Sequence, residues 1–416
     1  MKRIFTLFLL FTTCYIFAQE KQEEKKQIIQ FSGHIKYEAY FDTYESVYSR
    51  EGNIYLYPKA ENLDKNGIDL NKYNQLNMLS AQSRLRAKIN GPEAFGAKVN
   101  GMVEVDFLGK AASTSKGDAI DLTQTPRIRH MFMSLSWEKT QLIMGQTWHP
   151  IFVTECFPTV LGMGAALPFN PLSRAPQIQL KYKLTENIVI AGAALSHLDF
   201  ASSGPATAQK YSAVPDFHAS IKYLSDNISG GIIGGYKILK PRLVTSDTIQ
   251  TTKTIGSYDV QGFIKVSAGN LTFKALGIYG QNLSSYVMIG GYGASQDPTS
   301  VDDYNYSNIN TMAVWGEVSY KLNAAEFGLF AGYSANVGSS ESNYYSLSKY
   351  TRSADIDNIL RISPRFSYTM GKVQLGLEYM MTSATYMTLE NDKYKAVTTA
   401  DAVTNNRLYF SASYTF

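Results

Sequence analysis

The sequence has no long apolar run and little charge. No stretch of its 416 residues reaches the roughly 18 consecutive apolar residues that a transmembrane helix needs, which excludes a helical membrane protein. Charged residues make up 18% of the chain, below the roughly 25% typical of soluble domains. The formal net charge of +4 is too small for a protein that binds nucleic acid by neutralising phosphates.

Cysteine is also scarce, and disorder is excluded. Of the two cysteines, Cys14 lies in the N-terminal segment described next, so Cys156 remains alone. A single thiol cannot form an internal disulfide, so bridges do not hold this protein together. Aromatic residues make up 13% of the chain, whereas disordered chains contain few aromatic residues.

The first residues predict export from the cytoplasm. Lys2 and Arg3 precede an apolar stretch over 4–17, and Ala18 offers a small residue for cleavage. This order is typical of a cleaved secretory signal peptide over residues 1–18. The alternative is a lipoprotein signal in which Cys14 is acylated. Residues 19–28 are charged and polar, and we interpret them as a short periplasmic leader.

The rest of the chain, residues 29–416, alternates between apolar and polar side chains. In the first segment Phe31, Ile35 and Tyr37 share one face, while Lys36 and Glu38 share the other. Successive side chains of a strand point to opposite faces, so each segment predicts a strand with one apolar and one polar side. The chain ends in the same way, on a strand that finishes with Phe416.

Two kinds of connection join these strands. Short turns are predicted at 91–96, 138–140, 185–187, 225–227, 268–270, 323–325 and 370–372. Long polar stretches are predicted at 43–76, 109–125, 147–176, 198–214, 239–256, 283–308, 336–357 and 385–405. Eight long and seven short connections require 16 strands.

Such a pattern is typical of an all-β transmembrane antiparallel β-barrel with short periplasmic turns and long extracellular loops. A sheet survives in lipid only when it closes on itself, because lipid offers no partner for backbone polar groups. A large soluble propeller or sandwich would alternate in the same way. Aromatic residues at the ends of the apolar faces, such as Trp137, Tyr223 and Tyr279, favour the barrel.

The polar faces would line a water-filled interior, because a barrel of 16 strands is wide enough for an aqueous channel. The candidate pore-lining residues are Lys36, Arg84, Arg86, Lys88, Lys98, Glu104, Asp106, Lys181, Lys183, Arg361 and Arg365. Basic residues outnumber acidic ones in this set, and such a wall favours anions. The alternative is a solvated wall in which these cations pair with Glu104 and Asp106 on the next strand.

The third long connection, 147–176, is rich in apolar residues and proline, unlike the other loops. An apolar loop packs against something, so we expect it to fold into the lumen and narrow the channel. Its candidate constriction residues are His149, Glu155 and Arg174. Packing of this loop between subunits is the alternative.

These features together resemble the trimeric 16-stranded outer-membrane porins of Gram-negative bacteria. The residues Gly145 to Trp148, at the start of the third loop, and Arg361 to Arg365 resemble the DcaP-like porins among them. The resemblance implies a homotrimer in the outer membrane, in contact with lipid and lipopolysaccharide. It also implies passive diffusion of small hydrophilic solutes, often anions such as dicarboxylates. Some DcaP-like porins carry an N-terminal coiled coil, for which residues 19–27 are too short.

Other functions remain open. A barrel could bind or adhere through its exterior loops, or it could be a hydrolase that uses His149. The segment Asp64 to Asp69 has some features of a calcium loop, but its glycine comes too early and the bidentate glutamate is missing. Acidic exterior loops such as 297–303 could gather divalent ions loosely. We expect no enzyme activity, no catalytic residue, no cofactor and no specific metal site.

Overall fold

The structure is a computed structural model of the chain. It describes residues 28–49, 54–109, 125–196, 203–246, 248–297, 300–339, 347–390 and 395–416. The predicted signal peptide and nearly all of the predicted leader lie outside the described residues, as do parts of several long connections.

Almost all regular structure in the described residues is β-strand. The strands are β1 (Ile28–Asp42), β2 (Ser46–Ser49), β3 (Ile54–Pro58), β4 (Gln75–Leu79), β5 (Arg84–Asn90), β6 (Lys98–Gly109), β7 (Thr125–Ser136), β8 (Thr140–Trp148), β9 (Arg174–Lys183), β10 (Ile188–Leu195), β11 (Asp216–Leu224), β12 (Ile228–Leu239), β13 (Ile255–Ala268), β14 (Leu271–Gln281), β15 (Gly290–Asp297), β16 (Ser300–Leu322), β17 (Ala325–Gly338), β18 (Leu347–Arg352), β19 (Ile356–Met370), β20 (Val373–Glu390), β21 (Lys395–Thr399) and β22 (Val403–Thr415). A short helix α1 (Ala208–Ser212) and a 3-10 turn (Leu283–Tyr286) complete the elements. Among the described residues, neither helix has the length and hydropathy needed to cross a bilayer.

The strands form one closed antiparallel barrel. The first strand β1 pairs with the last strand β22, where Tyr37 faces Ala412, and on its other side with β4 and β5. Counting β4 and β5 as one interrupted strand, the barrel has 16 strands. The predicted fold class and strand number are confirmed.

The barrel exposes its apolar face on the outside. Large apolar side chains on alternate positions of nearly every strand are exposed, among them Phe31, Leu180, Ile232 and Leu375. Their immediate sequence neighbours point inward, and most of them are buried or half-buried. This is the alternation that a period of two residues predicts, with the apolar face on the outside of the barrel.

Pairing continues beyond the predicted strands at the end with long connections. β15, β18, β21 and the first part of β16 fall within the stretches predicted as polar loops at 283–308, 336–357 and 385–405. The outer apolar residues stop there, so alternation no longer marks the strands, but the backbone groups still pair. Those three predictions of loop were therefore wrong in part.

Three segments fold into the barrel from that same end. They are the hairpin β2–β3 of loop 1 (residues 43–74), loop 3 (residues 149–173) and the segment 282–289 after β14. Their apolar side chains form one interior cluster with inward residues of the wall. Its buried members include Ile54, Leu56, Tyr57, Ile151, Val153, Cys156, Leu167, Phe169, Leu283, Tyr286, Met288, Phe263, Leu276, Trp315, Phe330 and Ile359.

The inward fold of the third long loop agrees with the prediction, while its bounds are narrower. Thr147 and Trp148 belong to β8, and Arg174 is the first residue of β9. The inward folding of loop 1 and of 282–289 was not predicted. Part of the interior is therefore packed, where the sequence predicts a lumen filled with water.

Candidate functional site

Loop 3 is held in the barrel by charged side chains of the wall. Thr159 donates from its backbone N–H (2.8 Å) and its hydroxyl (2.7 Å) to the carboxylate of Glu317 on β16. Leu161 donates its N–H to Glu378 on β20 (2.6 Å), and its carbonyl accepts from the Lys36 ammonium on β1 (2.7 Å). Charge-assisted hydrogen bonds of this kind are the strong ones, so they fix loop 3 against the part of the wall that runs from β16 through β20 to β1.

The first part of loop 3 contacts the wall through a different ion pair. The carboxylate of Glu155 lies 3.1 Å from the ammonium of Lys222 on β11. Burial alone would raise the pKa of Glu155. The nearby positive charge of Lys222 and the hydrogen bonds to the Glu155 carboxylate nevertheless lower that pKa below its usual value. Glu155 is therefore a paired carboxylate at neutral pH, and it neutralises one wall cation.

Beside loop 3 lies a cavity of about 750 Å³. It extends from the 157–165 part of loop 3 down the wall to Gln374 and Thr415, which lie next to the short turn at 371–372. One side of the cavity is the wall formed by β1 and β5–β9, and this side is lined by basic residues. They are His34, Lys36, Arg84, Arg127, Arg129 and Arg174.

The basic wall is organised around two buried carboxylates. Glu104 accepts from the Nε atoms of Arg86 (2.7 Å) and Arg129 (2.6 Å). Asp106 accepts from Arg127 Nε (2.9 Å) and Arg129 Nη1 (3.0 Å). Two carboxylates thus serve three guanidinium groups, and this pairing fixes the guanidinium planes in one orientation.

Two further arginines add positive charge without a carboxylate of their own among the ion pairs of the described residues. Arg84 faces Asp106 in register, yet its Nε atom is buried and has no hydrogen-bond partner within the described part of the chain. The guanidinium of Arg174 lies 4.7 Å from the ring centroid of Trp148, a cation–π contact. The cavity therefore carries an excess of positive charge.

Loop 3 and β8 supply an aromatic surface to the same cavity. The rings of Trp148 and Phe152 are stacked with centroids 4.0 Å apart, and Phe157 follows with its centroid 5.7 Å from that of Phe152. All three residues line the cavity. A solute in the cavity could therefore contact both guanidinium groups and aromatic carbon.

The predicted pore-lining residues fall into two groups. Lys36, Arg84, Arg86, Lys88, Lys98, Glu104, Asp106, Lys181 and Lys183 lie on the inward positions of β1, β5, β6 and β9. Of these, Lys98 and Lys183 lie at the end with short turns. Arg361 and Arg365 are inward as well and are largely buried, at 3% and 5% exposure, although Arg365 also lines the cavity.

The two buried arginines differ from a solvated wall because loop atoms and, for Arg365, wall carboxylates use their donors. Arg365 bonds Glu326 (2.8 Å), Glu317 (3.2 Å) and the hydroxyl of Thr159. Arg361 donates to the loop carbonyls of Leu56 and Leu167. Filling the interior with loop residues converts what the sequence predicts as solute-facing charge into structural contacts.

The candidate constriction residues are not brought together. Glu155 pairs with Lys222 and Arg174 lines the cavity, as described above. His149 is buried elsewhere, where its Nδ1 accepts from Ile151 N–H (3.2 Å) and its ring packs 4.5 Å from that of His218. His149 is not among the residues that line the cavity.

Sequence reasoning missed Arg127, Arg129 and Trp148. The strand β7 carries a bulge opposite Glu104 and Val105, so Arg129 and His130 are both buried and the alternation fails there. The run Arg127 to His130 contains three basic residues in four positions of a strand, and that concentration is a signal that a sequence could provide.

The segment with features of a calcium loop is a turn. Asp64 accepts from the N–H groups of Asn66 (2.8 Å) and Ile68 (2.9 Å), and Asp69 accepts from those of Asn62 and Asn71 (both 3.0 Å). These bonds occupy the carboxylate oxygens as an Asx-turn does. Over the described residues as a whole, no group of three or more potential ligands forms a metal site.

Comparison with solved structures identifies the fold. The outer membrane channel DcaP of Acinetobacter baumannii superposes with a TM-score of 0.65 at 17% identity, over 94% of this chain and 99% of that one. The chain has the porin fold. An anion-selective porin from Comamonas acidovorans (TM-score 0.55, 10% identity, 94% and 100% covered) and the outer membrane protein OmpT of Vibrio cholerae (0.55, 11%, 94% and 99%) are also similar.

No family model matches the chain, and no curated protein matches it either. The resemblance to the DcaP-like porins is confirmed at the level of the fold. At these identities a likeness carries the architecture only.

Proposed function

We propose that this protein is an outer-membrane porin that lets small hydrophilic solutes diffuse passively, with a mild preference for anions such as dicarboxylates. The observation that carries the proposal is the cavity of about 750 Å³ whose wall bears Arg84, Arg127, Arg129 and Arg174. Rings of arginine lower the barrier for anions in channels. The lining contains more guanidinium groups than carboxylates, so the electrostatic balance favours negative solutes.

The exposed outer face supports the location in a membrane. Large apolar side chains cover the outside of the barrel, and a closed barrel leaves no unpaired sheet edge for lipid to meet. The proposed location is the outer membrane of a Gram-negative bacterium, reached through a signal peptide over 1–18. Lipid, lipopolysaccharide and two further copies of the chain are the proposed partners.

Planar-bilayer recording of the refolded protein tests the proposal. With a salt gradient across the bilayer, we expect open channels whose reversal potential shows anions to be more permeant than cations. High salt should reduce this preference, because ions screen the wall charges over a shorter distance. A cation-selective channel would contradict the assignment of the basic wall, and a folded barrel without conductance would contradict the function itself.

A further inference from the structure

Loop 1 and loop 3 meet at a single wall side chain, Arg361. Its Nη2 atom donates to the carbonyl of Leu56 in the β2–β3 hairpin (2.6 Å), and its Nη1 atom donates to the carbonyl of Leu167 in loop 3 (2.9 Å). Its Nε atom donates to the hydroxyl of Thr382 on the next strand, β20 (2.9 Å). One guanidinium thus joins two inward segments to the wall.

Aromatic rings of both loops cover the same guanidinium. The ring of Tyr55, from the hairpin, has its centroid 4.7 Å from the guanidinium carbon of Arg361, and the ring of Phe169, from loop 3, lies at 5.1 Å. Tyr55 also faces Arg407 on β22 at 4.2 Å, so the tyrosine is held between two cations. Cation–π contacts are strengthened when the cation is desolvated, as it is here.

The location of these bonds makes Arg361 hard to replace. The carbonyls of Leu56 and Leu167 lie in the packed interior, where an unsatisfied acceptor is costly. A buried guanidinium is equally costly unless its donors are used. The guanidinium of Arg361 and the two carbonyls therefore satisfy each other's hydrogen-bonding groups. Removing the guanidinium leaves both loops without this attachment to the wall.

We propose that Arg361 is a positioning residue that ties loop 1 to loop 3 and thereby sets the width of the channel. The inference rests on the proposed channel function. Met163 and Ile54 line the cavity and belong to the same packed interior. Both segments occupy part of the barrel interior where Arg361 holds them, so the free cross-section beside loop 3 depends on how firmly they are held there.

The test compares Arg361→Met, Arg361→Lys and Tyr55→Ala in bilayers. Methionine keeps the length of the side chain but cannot donate, so we expect a unitary conductance about 1.5- to 2-fold higher, with noisier open channels and passage of larger neutral solutes. Tyr55→Ala removes the ring contact of the hairpin but keeps the bond to the Leu56 carbonyl, so it should give a smaller rise. Lysine can restore one of the carbonyl bonds and should bring the conductance back toward that of the original protein.

A matched control separates position from charge. Lys139→Met removes one exposed cation in the short turn between β7 and β8, away from both loops, and should leave unitary conductance and noise unchanged. If Arg361→Met shifts the reversal potential toward cations but keeps the original conductance and noise, Arg361 is a solute-facing wall charge and the proposal is overturned.

A thiol readout keeps the inference independent of conductance. In mature protein with Cys156→Ser, Ala166→Cys places a thiol in loop 3 beside Leu167, at a site with 3% exposure. We expect maleimide to label it slowly, and about ten-fold faster when Arg361→Met is added, because labelling follows local opening. Equal labelling would overturn the tie even if conductance is absent, whereas faster labelling without conductance would contradict only the channel function.

Folding of each variant is checked by the mobility of unboiled protein in detergent gels. If Arg361→Met does not fold, Thr382→Val removes the acceptor of the Arg361 Nε bond while keeping the cation. We then expect labelling of the loop 3 thiol to increase as well, but by less. Unchanged labelling in folded Thr382→Val together with unchanged conductance in folded Tyr55→Ala would then overturn the proposal.

Discussion

At the scale of single residues, inward lysine and arginine side chains have two uses inside this barrel. Lys36, Lys222 and Arg365 hold loop 3, through a carbonyl, a carboxylate and a hydroxyl. Arg84 and Arg174 face the cavity and are not in an ion pair among the described residues. Counting inward charges from sequence cannot separate these uses, because alternation gives the face of a strand but not what covers that face.

Arg84 therefore provides a sharp test of the electrostatics. In Arg84→Gln, Glu104 and Asp106 keep Arg86, Arg127 and Arg129 as partners, so folding should be unaffected. Losing one unit charge near the solute path changes the free energy by on the order of 1 kcal/mol, about five-fold in the anion-to-cation permeability ratio. The reversal potential in a salt gradient measures this ratio.

Lys98→Gln is the matched control for Arg84→Gln. Lys98 is an inward cation on the neighbouring strand, at the exposed end next to a short turn. Solvent screens such a charge, so we expect a clearly smaller shift in reversal potential. Equal shifts in the two variants would show that selectivity depends on total wall charge and not on the cavity.

At the scale of elements, the strands could be predicted and the inward segments only in part. Outward side chains must be apolar along each strand, so the alternation of apolar and polar residues repeats from strand to strand. The seven predicted short turns lie where the chain reverses between strands. Prediction was weak on β8, where Gly145 adopts a φ of 123°, and on β12, which has four glycines. Glycine has no side chain, so its position in the sequence does not indicate which face of the strand is apolar.

Loop 1 shows why the interior could not be predicted fully. The run Ile54 to Tyr57 is apolar within a polar connection, a smaller version of the signal that indicated loop 3. It has the length of one short strand, however, and either a lid outside or a hairpin inside would bury it. Whether the run folds inside or outside depends on Arg361 and Arg407, which are distant in sequence and hold the Tyr55 ring between them.

The inward position of loop 3 predicts slow thiol chemistry at Cys156. Its sulfur lies 3.4 Å from the carbonyl oxygen of Ile264 on β13, and burial raises its pKa from the usual 9.0 to about 11. A raised thiol pKa lowers the thiolate fraction at pH 8, here by roughly 100-fold, and the thiolate is the reactive form. We expect maleimide labelling of the folded, mature protein to be slower than that of the unfolded protein by at least this factor.

An exposed cysteine supplies the comparison for Cys156. In a Cys156→Ser background, Asn66→Cys places a thiol in the exposed turn of loop 1, and it should react at nearly the same rate in folded and unfolded protein. Fast labelling of Cys156 in a folded barrel would show that loop 3 does not stay packed against β13.

At the scale of the whole molecule, the barrel has an apolar outside and a partly apolar inside. The outside follows from the closed sheet, since each strand supplies an exposed apolar face. The inside combines the interior cluster on one side with the basic cavity on the other. Under the proposed function, solutes would pass on one side of the barrel, along β1 and β5–β9, where guanidinium groups and aromatic rings lie together.

This arrangement predicts how an assembly of copies should conduct. One chain closes the barrel by itself, since β1 pairs with β22, so we expect the protomer to be the conducting unit. A homotrimer should show three equal conductance steps and a mass about three times that of the protomer in native mass spectrometry. Dissociating the trimer with stronger detergent, then reconstituting at low protein, should give single steps of unchanged size. A single step from a species of three-protomer mass would instead mean that the copies share one pore, which a cavity enclosed by one chain cannot provide.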